Sequence, residues 1–367
     1  MTEEDGGYRD LFDGVIASTL TRALGIAAAD PALAVTGARI LYRQRRAASI
    51  RQEYERQGVL VPPVMMISLT SRCNLSCRGC YMRAQQREAA PEMTVEQLGS
   101  VVAQASDLGV SVVVFAGGEP LLRAGEILNL AEEHPHLLFV VFTNGLMIDE
   151  GMADRIAARR NLVPMISLEG FRADTDARRG EGVYDRLLSA SSLLKERWVF
   201  FGCSVTVTGK NLDRVTDGGF IGQMTEAGAR AFVFVEYVPI EPGTDGLVLD
   251  DGRRASLNAR IAAFNQEYPA LFIGFPGEEG MYGGCLAAGR GFVHVNASGG
   301  LEPCPAAPFS DANLTQTALK DALRSGLLEE IRSHHERLTE THGGCALWAN
   351  REWVRGLVEA GPRERSP

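Results

Sequence analysis

The stretch Val64-Met-Met-Ile-Ser-Leu-Thr-Ser-Arg-Cys73-Asn-Leu-Ser-Cys77-Arg-Gly-Cys80-Tyr81 decides how the rest of the chain is read. It opens with a short apolar run of strand length, and three cysteines follow within eight residues. A run this apolar, ending in a polar loop, reads as a strand buried on both faces. The same rhythm repeats downstream. Strands are predicted at Ser111–Ala116, Leu137–Thr143, Leu162–Leu168, Val199–Thr208 and Phe232–Val238. Between them lie the helical stretches Thr94–Leu108, Gly125–Glu133, Asp149–Arg159, Val183–Arg197 and Phe220–Ala227. Six strands alternating with helices specify a parallel sheet with right-handed crossovers. Six units fall short of the eight that close a barrel. The expected fold class is therefore α/β, a partial (β/α)6 barrel.

Residues 1–62 repeat Leu11, Phe12, Val15, Ile16, Leu20 and Leu24 at helical intervals and resume after Pro31, which predicts a helical N-terminal extension. From about Gly277 the texture changes to Gly-rich loops, a short strand at Phe292–Asn296 and helices at Leu319–Leu338 and Ala346–Val358. The expected division is a helical extension at 1–62, the barrel at 63–275 and a small α+β domain at 276–367.

No uncharged run approaches the roughly twenty residues of a membrane span. The start Met-Thr-Glu-Glu-Asp is acidic where a secretory signal is basic, so a cytoplasmic location is expected. In a reducing compartment clustered thiols read as metal ligands rather than disulfides. Three thiolates on the Cys73–Cys80 loop can share one inorganic cluster. A 4Fe–4S cube needs four ligands, so three leave one iron without a protein ligand. Zinc would need a fourth Cys or His close by, and the nearest histidine is His134.

This loop, placed after the first strand of a partial barrel, resembles the signature of the radical S-adenosylmethionine (radical SAM) enzymes. The residue before the third cysteine is usually aromatic there; this chain has Gly79, with Tyr81 just after. Supporting motifs end successive strands: Gly117-Gly118-Glu119-Pro120, Thr143-Asn144-Gly145, Ser167-Leu-Glu169-Gly170, and Ser204–Thr208 with Asn211. Each alone is usually a turn. In order behind the cysteine loop, at the rim where barrel chemistry collects, they are a strong joint signal covering about Val64–Pro239. The resemblance implies that Cys73, Cys77 and Cys80 hold a 4Fe–4S cluster. It implies that Tyr81, Gly117, Gly118, Glu119, Asn144, Ser167, Glu169 and Thr206 surround S-adenosylmethionine (AdoMet). It also implies reductive cleavage of AdoMet to a 5′-deoxyadenosyl radical, fed by an electron donor such as a ferredoxin or flavodoxin.

Cys285, Gly299 and Cys304 stand in a C-x13-G-x4-C arrangement, and Cys345 follows in His342-Gly-Gly-Cys345. The glycine supplies the positive φ of a hairpin turn that brings two cysteines together. The arrangement resembles the SPASM and Twitch extensions, which carry auxiliary 4Fe–4S clusters. With three cysteines here, at most one auxiliary cluster fits. Its fourth ligand stays open among an unliganded iron, His342 and a carboxylate; Cys203, among Phe200, Phe201 and Val205, reads as a buried small hydrophobe.

A net charge of −9, with 45% hydrophobic and 23% charged residues, fits an ordinary globular protein and gives no footprint for nucleic acid. One segment departs from that balance. Between Asp30 and Glu53 there is no acid, while Arg39, Arg43, Arg45, Arg46 and Arg51 lie close together. Residues 10–51 therefore either contact the inner face of an anionic membrane peripherally or pack on the barrel. The expected function is hydrogen-atom abstraction from an unactivated C–H of a small-molecule or lipid substrate, assisted by the auxiliary cluster. The alternatives are a maturase acting on peptide or protein side chains, and a non-catalytic iron–sulfur sensor or scaffold. Arg83, Arg123, Arg178, Arg179, Glu236 and Tyr237 are the candidates to face substrate.

Overall fold

A computed structural model describes residues 4–27, 31–85, 90–277, 279–339 and 345–359. Its nine strands are β1 (Val64–Ser68), β2 (Val112–Ala116), β3 (Leu138–Thr143), β4 (Leu162–Leu168), β5 (Gly202–Val207), β6 (Ala231–Glu236), β7 (Leu271–Phe275), β8 (Phe292–Val295) and β9 (Leu301–Glu302). They form one curled sheet in the order β7-β6-β5-β4-β3-β2-β1-β8-β9. All neighbours are parallel except the β8–β9 pair. The six predicted strands are all present, and the sheet is a half-barrel.

Alternation along each strand separates two faces. One carries Met65, Ile67, Phe115, Phe139, Val141, Cys203, Val205, Phe232 and Phe234, all buried in the main hydrophobic core. The helix Val95–Leu108 shows how that face is covered. Thr94 and Gln97 form a reciprocal capping box at its start, and Gly109, in the left-handed region at φ 94°, ends it. Its buried face is Leu98, Val101, Val102, Ala105 and Leu108. Burying each of the larger of these contributes roughly 1.5–3 kcal/mol.

The other face looks into the half-barrel and is polar toward the C-terminal strand ends. Register puts Ser167 beside Ser204, with Thr206 two residues further along β5. Deeper in, Met165, Ala231 and Leu271 form a second small core, against which Ala23 and Ile26 of the N-terminal helix α1 (Glu4–Ala27) pack. At its other end α1 sets Phe12 edge-on to Tyr282, with centroids 5.4 Å apart, and Tyr8 under the Arg290 guanidinium. Helix α2 (Pro31–Arg56) returns alongside, where Arg51 is buried against Asp13 and the Gly109 carbonyl. The apolar residues of α1 are thus spent on the barrel. Arg39, Arg43, Arg45 and Arg46 of α2 remain exposed.

Two strands depart from the sequence reading. Leu271–Phe275 adds to β6 as a seventh parallel strand. This edge segment is buried only over its first two residues, which is why no apolar alternation announces it. Phe292–Val295, expected in a separate C-terminal domain, pairs with β1 and extends the barrel sheet. A buried hydrogen-bond chain fastens the join. Ser68 Oγ lies 2.8 Å from His294 Nε2, and His294 Nδ1 lies 2.8 Å from Glu302 Oε2. Replacing His294 by Leu leaves both oxygens buried and short of a partner, a loss of about 1–3 kcal/mol. Urea unfolding of His294→Leu is expected to show that drop in midpoint; an unchanged midpoint would mean the chain contributes nothing.

Candidate active site

The Cys73–Cys80 loop leaves β1 and is fastened to two neighbours by backbone bonds. The Gly118 amide donates to the Thr70 carbonyl and the Glu119 amide to the Arg72 carbonyl, each at 2.8 Å. On the far side the Arg78 amide donates to the Arg178 carbonyl at 3.0 Å. The glycine pair is demanded by this contact. A Cβ on Gly118 would fall 2.0 Å from the Arg72 oxygen, and one on Gly117, at φ 119°, would fall 2.6 Å from the Thr70 oxygen.

Glu119 is buried and its carboxylate is the hub of the rim. Oε1 accepts from Thr143 Oγ1 at 2.7 Å and from the Leu121 amide at 3.0 Å; Oε2 accepts from the Asn144 amide at 2.8 Å. Burial raises its pKa while these donors pull the other way. Both oxygens therefore join the ends of β2 and β3. Asn144, positioned by that bond, reaches across the cysteine loop, donating to Asn74 Oδ1 at 2.6 Å with Cys73 Sγ 3.9 Å away.

At the end of β4 Glu169 is buried between two guanidiniums, its Oε1 accepting from Arg178 and, at 2.7 Å, from Arg179. The two arginines lie in the helix Arg172–Arg179 and extend their field to Cys77, opposing the rise in its pKa caused by burial. Cys73 is likewise raised by burial, with Glu119, Cys77 and Cys80 adding to the rise and the Leu75 amide, 3.4 Å from its Sγ, opposing it. The three thiols thus lie in one electrostatic neighbourhood. Ser167 and Thr206 sit half-buried on the inner face, and Tyr81 begins the short helix Tyr81–Ala84 behind Cys80.

Gly79 stands where an aromatic residue was expected by resemblance, and an aromatic ring arrives from elsewhere. Tyr237, buried just after β6, lies 3.4 Å from where a Cβ on Gly79 would be. Spacing gave no signal for this contact. Besides Arg178 and Arg179, two more substrate-facing candidates are otherwise employed. Arg123 is buried, donating to the Leu69 and Met93 carbonyls at 2.8 and 2.9 Å, and Glu236 is paired with Arg254 at 2.9 Å.

The C-terminal thiols also come together. The predicted hairpin forms, with Val295 opposite Leu301 and Gly299 at φ 90° in the turn. The Ala288 amide donates to the Pro303 carbonyl and the Cys285 amide to the Leu338 carbonyl, tying the Cys285 segment to the Cys304 segment and to Leu338. Burial lifts Cys345 to about 11 and Cys285 and Cys304 well above the usual thiol range, and Cys345 raises both of the others further. Backbone amides of Ala287, Ala306 and Trp348 point at the three sulfurs and oppose that rise. Cys203 lies apart on the helix-covered face of β5, pushed to about 12 by burial alone. His342 lies outside the described residues.

Residues 67–217 match the Radical SAM superfamily. That segment is a radical SAM domain. Similarity to the mycofactocin maturase MftC of Mycolicibacterium smegmatis runs further, at 25% identity over 327 residues, 83% of this chain and 80% of that protein. An AdoMet-dependent heme synthase of Methanosarcina barkeri is 24% identical over 288 residues, 71% of this chain and 81% of its own. Two relatives at 31% and 32% identity match over 153 and 152 residues only, and the chain spans just 38% and 37% of their lengths. Among solved structures, Streptococcus suis SuiB bound to S-adenosylmethionine shares the fold with a TM-score of 0.65 at 20% identity, over 80% of this chain and 72% of that one.

Radical SAM domains use a 4Fe–4S cluster together with AdoMet. The donor sets here suit iron–sulfur clusters. Buried thiols that raise one another cannot all ionise unless a cationic core neutralises them, and amides aimed at sulfur favour the thiolate. Among the described residues no three His, Cys, Asp or Glu side chains converge closely enough for a single metal ion. A cube distributes its ligands over separate corners, so wider spacing suits it. The close backbone crossing at Gly118 makes one consequence measurable. Gly118→Ala must push the cysteine loop away from β2, and iron in anaerobically reconstituted protein is expected to fall to the level retained by Cys73→Ala. Wild-type iron in Gly118→Ala would show that the loop does not need the crossing.

Proposed function

We propose that this chain is a radical SAM enzyme that modifies a peptide or protein side chain. Cys73, Cys77 and Cys80 hold the cluster that cleaves AdoMet, and Cys285, Cys304 and Cys345 hold an auxiliary one. The observation that carries the substrate class is the similarity to a maturase through four-fifths of both chains, well beyond the barrel residues that the whole superfamily shares. It favours a peptide over the small-molecule or lipid substrate expected first. The match to an AdoMet-dependent heme synthase supports a second reading, a tetrapyrrole substrate. A sensor or scaffold is disfavoured, because a mere cluster holder has no use for the polar side chains gathered at four strand ends.

When bound, the cluster and AdoMet supply a 5′-deoxyadenosyl radical that abstracts a hydrogen atom. The protein's part is position and field. Gly117 and Gly118 let the β2 turn touch the cysteine loop, and Glu119 holds the β3 end beside it. Asn144, Ser167, Thr206 and Tyr81 offer hydrogen-bonding groups around the AdoMet site. Glu169 orients Arg178 and Arg179, whose charge beside Cys77 favours the thiolate and the reduced cluster. A reduced ferredoxin or flavodoxin supplies the electron. Peripheral contact with an anionic membrane remains a proposal for the exposed arginines of α2 alone.

Two measurements test this reading. With dithionite and AdoMet, wild-type protein is expected to release 5′-deoxyadenosine, and Cys73→Ala, Cys77→Ala or Cys80→Ala to lose all of it. Release at the wild-type rate by any one variant overturns the assignment. For the substrate, the protein is incubated with short peptides encoded beside its own gene and, separately, with an iron porphyrin. A mass change confined to a peptide supports the first reading, and one confined to the porphyrin replaces it with the second.

A further inference from the structure

One side chain carries the hydrogen bonds that lead from the end of β4 to the cysteine loop. Glu169, the residue after β4, is buried, and Thr175 fastens the turn that presents it. The Glu169 amide donates to Thr175 Oγ1, and that hydroxyl donates to the Gly170 carbonyl, each at 3.2 Å. The carboxylate is held in place, and its Oε1 accepts from Arg178 Nη1 and, at 2.7 Å, from Arg179 Nη2.

Arg178 meets the loop with more than its charge. Its carbonyl accepts from the Arg78 amide at 3.0 Å, and its Nε donates to the Arg78 carbonyl at 3.1 Å. Both backbone groups of the residue that follows Cys77 are thus engaged by one residue of the helix Arg172–Arg179. Gly79 comes next in the left-handed region at φ 65°, and the stretch from Cys77 to Cys80 belongs to no helix or strand. The crossing with β2 grips the loop just before Cys73, and Arg178 grips it between Cys77 and Cys80. A guanidinium suits this double task, because Nε and Nη1 lie in one rigid plane and serve two partners at once. A lysine can serve only one place with its single nitrogen. The charge of Arg178 is answered locally by Glu169, whereas its Nε bond acts on the loop directly.

We propose that Arg178 is a positioning residue, whose Nε sets where the Cys77–Cys80 segment lies relative to the strand ends around AdoMet. This rests on the reading that Cys73, Cys77 and Cys80 hold the cluster. Glu169 then serves by steadying the guanidinium. The bond to the loop, more than the positive charge, is what Arg178 contributes to AdoMet binding.

The full chain is reconstituted anaerobically, reduced with dithionite and titrated with AdoMet while electron paramagnetic resonance is recorded. A wild-type signal that AdoMet leaves unchanged would sink the cluster reading, and the positioning role with it. Where wild type does respond, two substitutions separate bond from charge. Arg178→Lys keeps the charge but places a methylene where Nε stood. Arg178→Gln loses the charge but places an amide nitrogen there. Loss of one such hydrogen bond corresponds to about a tenfold change in an equilibrium. Arg178→Lys is expected to raise the AdoMet concentration at half the spectral change by about that factor, and Arg178→Gln to raise it less. Equal values, or the reverse order, overturn the proposal. So does a lowered urea midpoint in Arg178→Lys with half-saturation as in wild type, which marks a purely structural contact. If Arg178→Lys shows no response to AdoMet, Arg178→Gln decides. A response kept by Arg178→Gln supports the positioning role, and loss of it in both variants overturns it.

Discussion

The radical SAM site depends on a crossing of two backbones. Thr70–Arg72 and Gly117–Glu119 approach so closely that neither glycine can carry a Cβ, and two amide bonds of 2.8 Å lock the contact. Everything at the rim is referred to that crossing. It fixes the turn from which Glu119 projects, and Glu119 in turn fixes Thr143 and Asn144. Asn144 then reaches back to Asn74 and Cys73. The circuit closes on the loop where it began. A cysteine loop without secondary structure of its own is held in this way by β1, β2 and β3, all anchored in the core. Loops positioned by a rigid scaffold are where chemistry is usually carried.

The second thiol group is tied to the same sheet rather than hung from it. β8 lies against β1, and the Ser68–His294–Glu302 chain runs from the strand that feeds Cys73 to the strand that precedes Cys304. The two cysteine groups therefore share one structural frame. α1 adds to it from within, with Ile26 against the inner face of the middle strands and Phe12 against Tyr282, close to Cys285 in sequence. Of the two readings of the N-terminal segment, α1 follows the one in which it packs on the barrel.

What could be read from the sequence followed the physics that sequence records. Apolar runs between helices gave the parallel half-barrel, because strands buried on both faces leave that pattern whatever their neighbours. Cysteine spacing and the glycines of the turns gave both thiol groups, since close approach and positive φ restrict residue choice locally. The partnerships that close the sites were not legible. Tyr237 meets Gly79 across more than 150 residues of chain, and Glu169 takes Arg178 and Arg179, which read as candidates to face substrate. Membership of β8 in the barrel sheet was hidden for the same reason: a short apolar strand does not say which neighbour it will pair with.

These partnerships also set the charge beside each thiol group. Glu169 answers Arg178 and Arg179 next to Cys77, and Glu119 acts on Cys73. At the C-terminal thiols Arg254 answers Glu236, while His294 and Asn296 hold Glu302. In both places an acid that raises a thiol's pKa is itself held by hydrogen-bonded partners. The charge each thiol meets is therefore set by the fold rather than by mobile surface side chains.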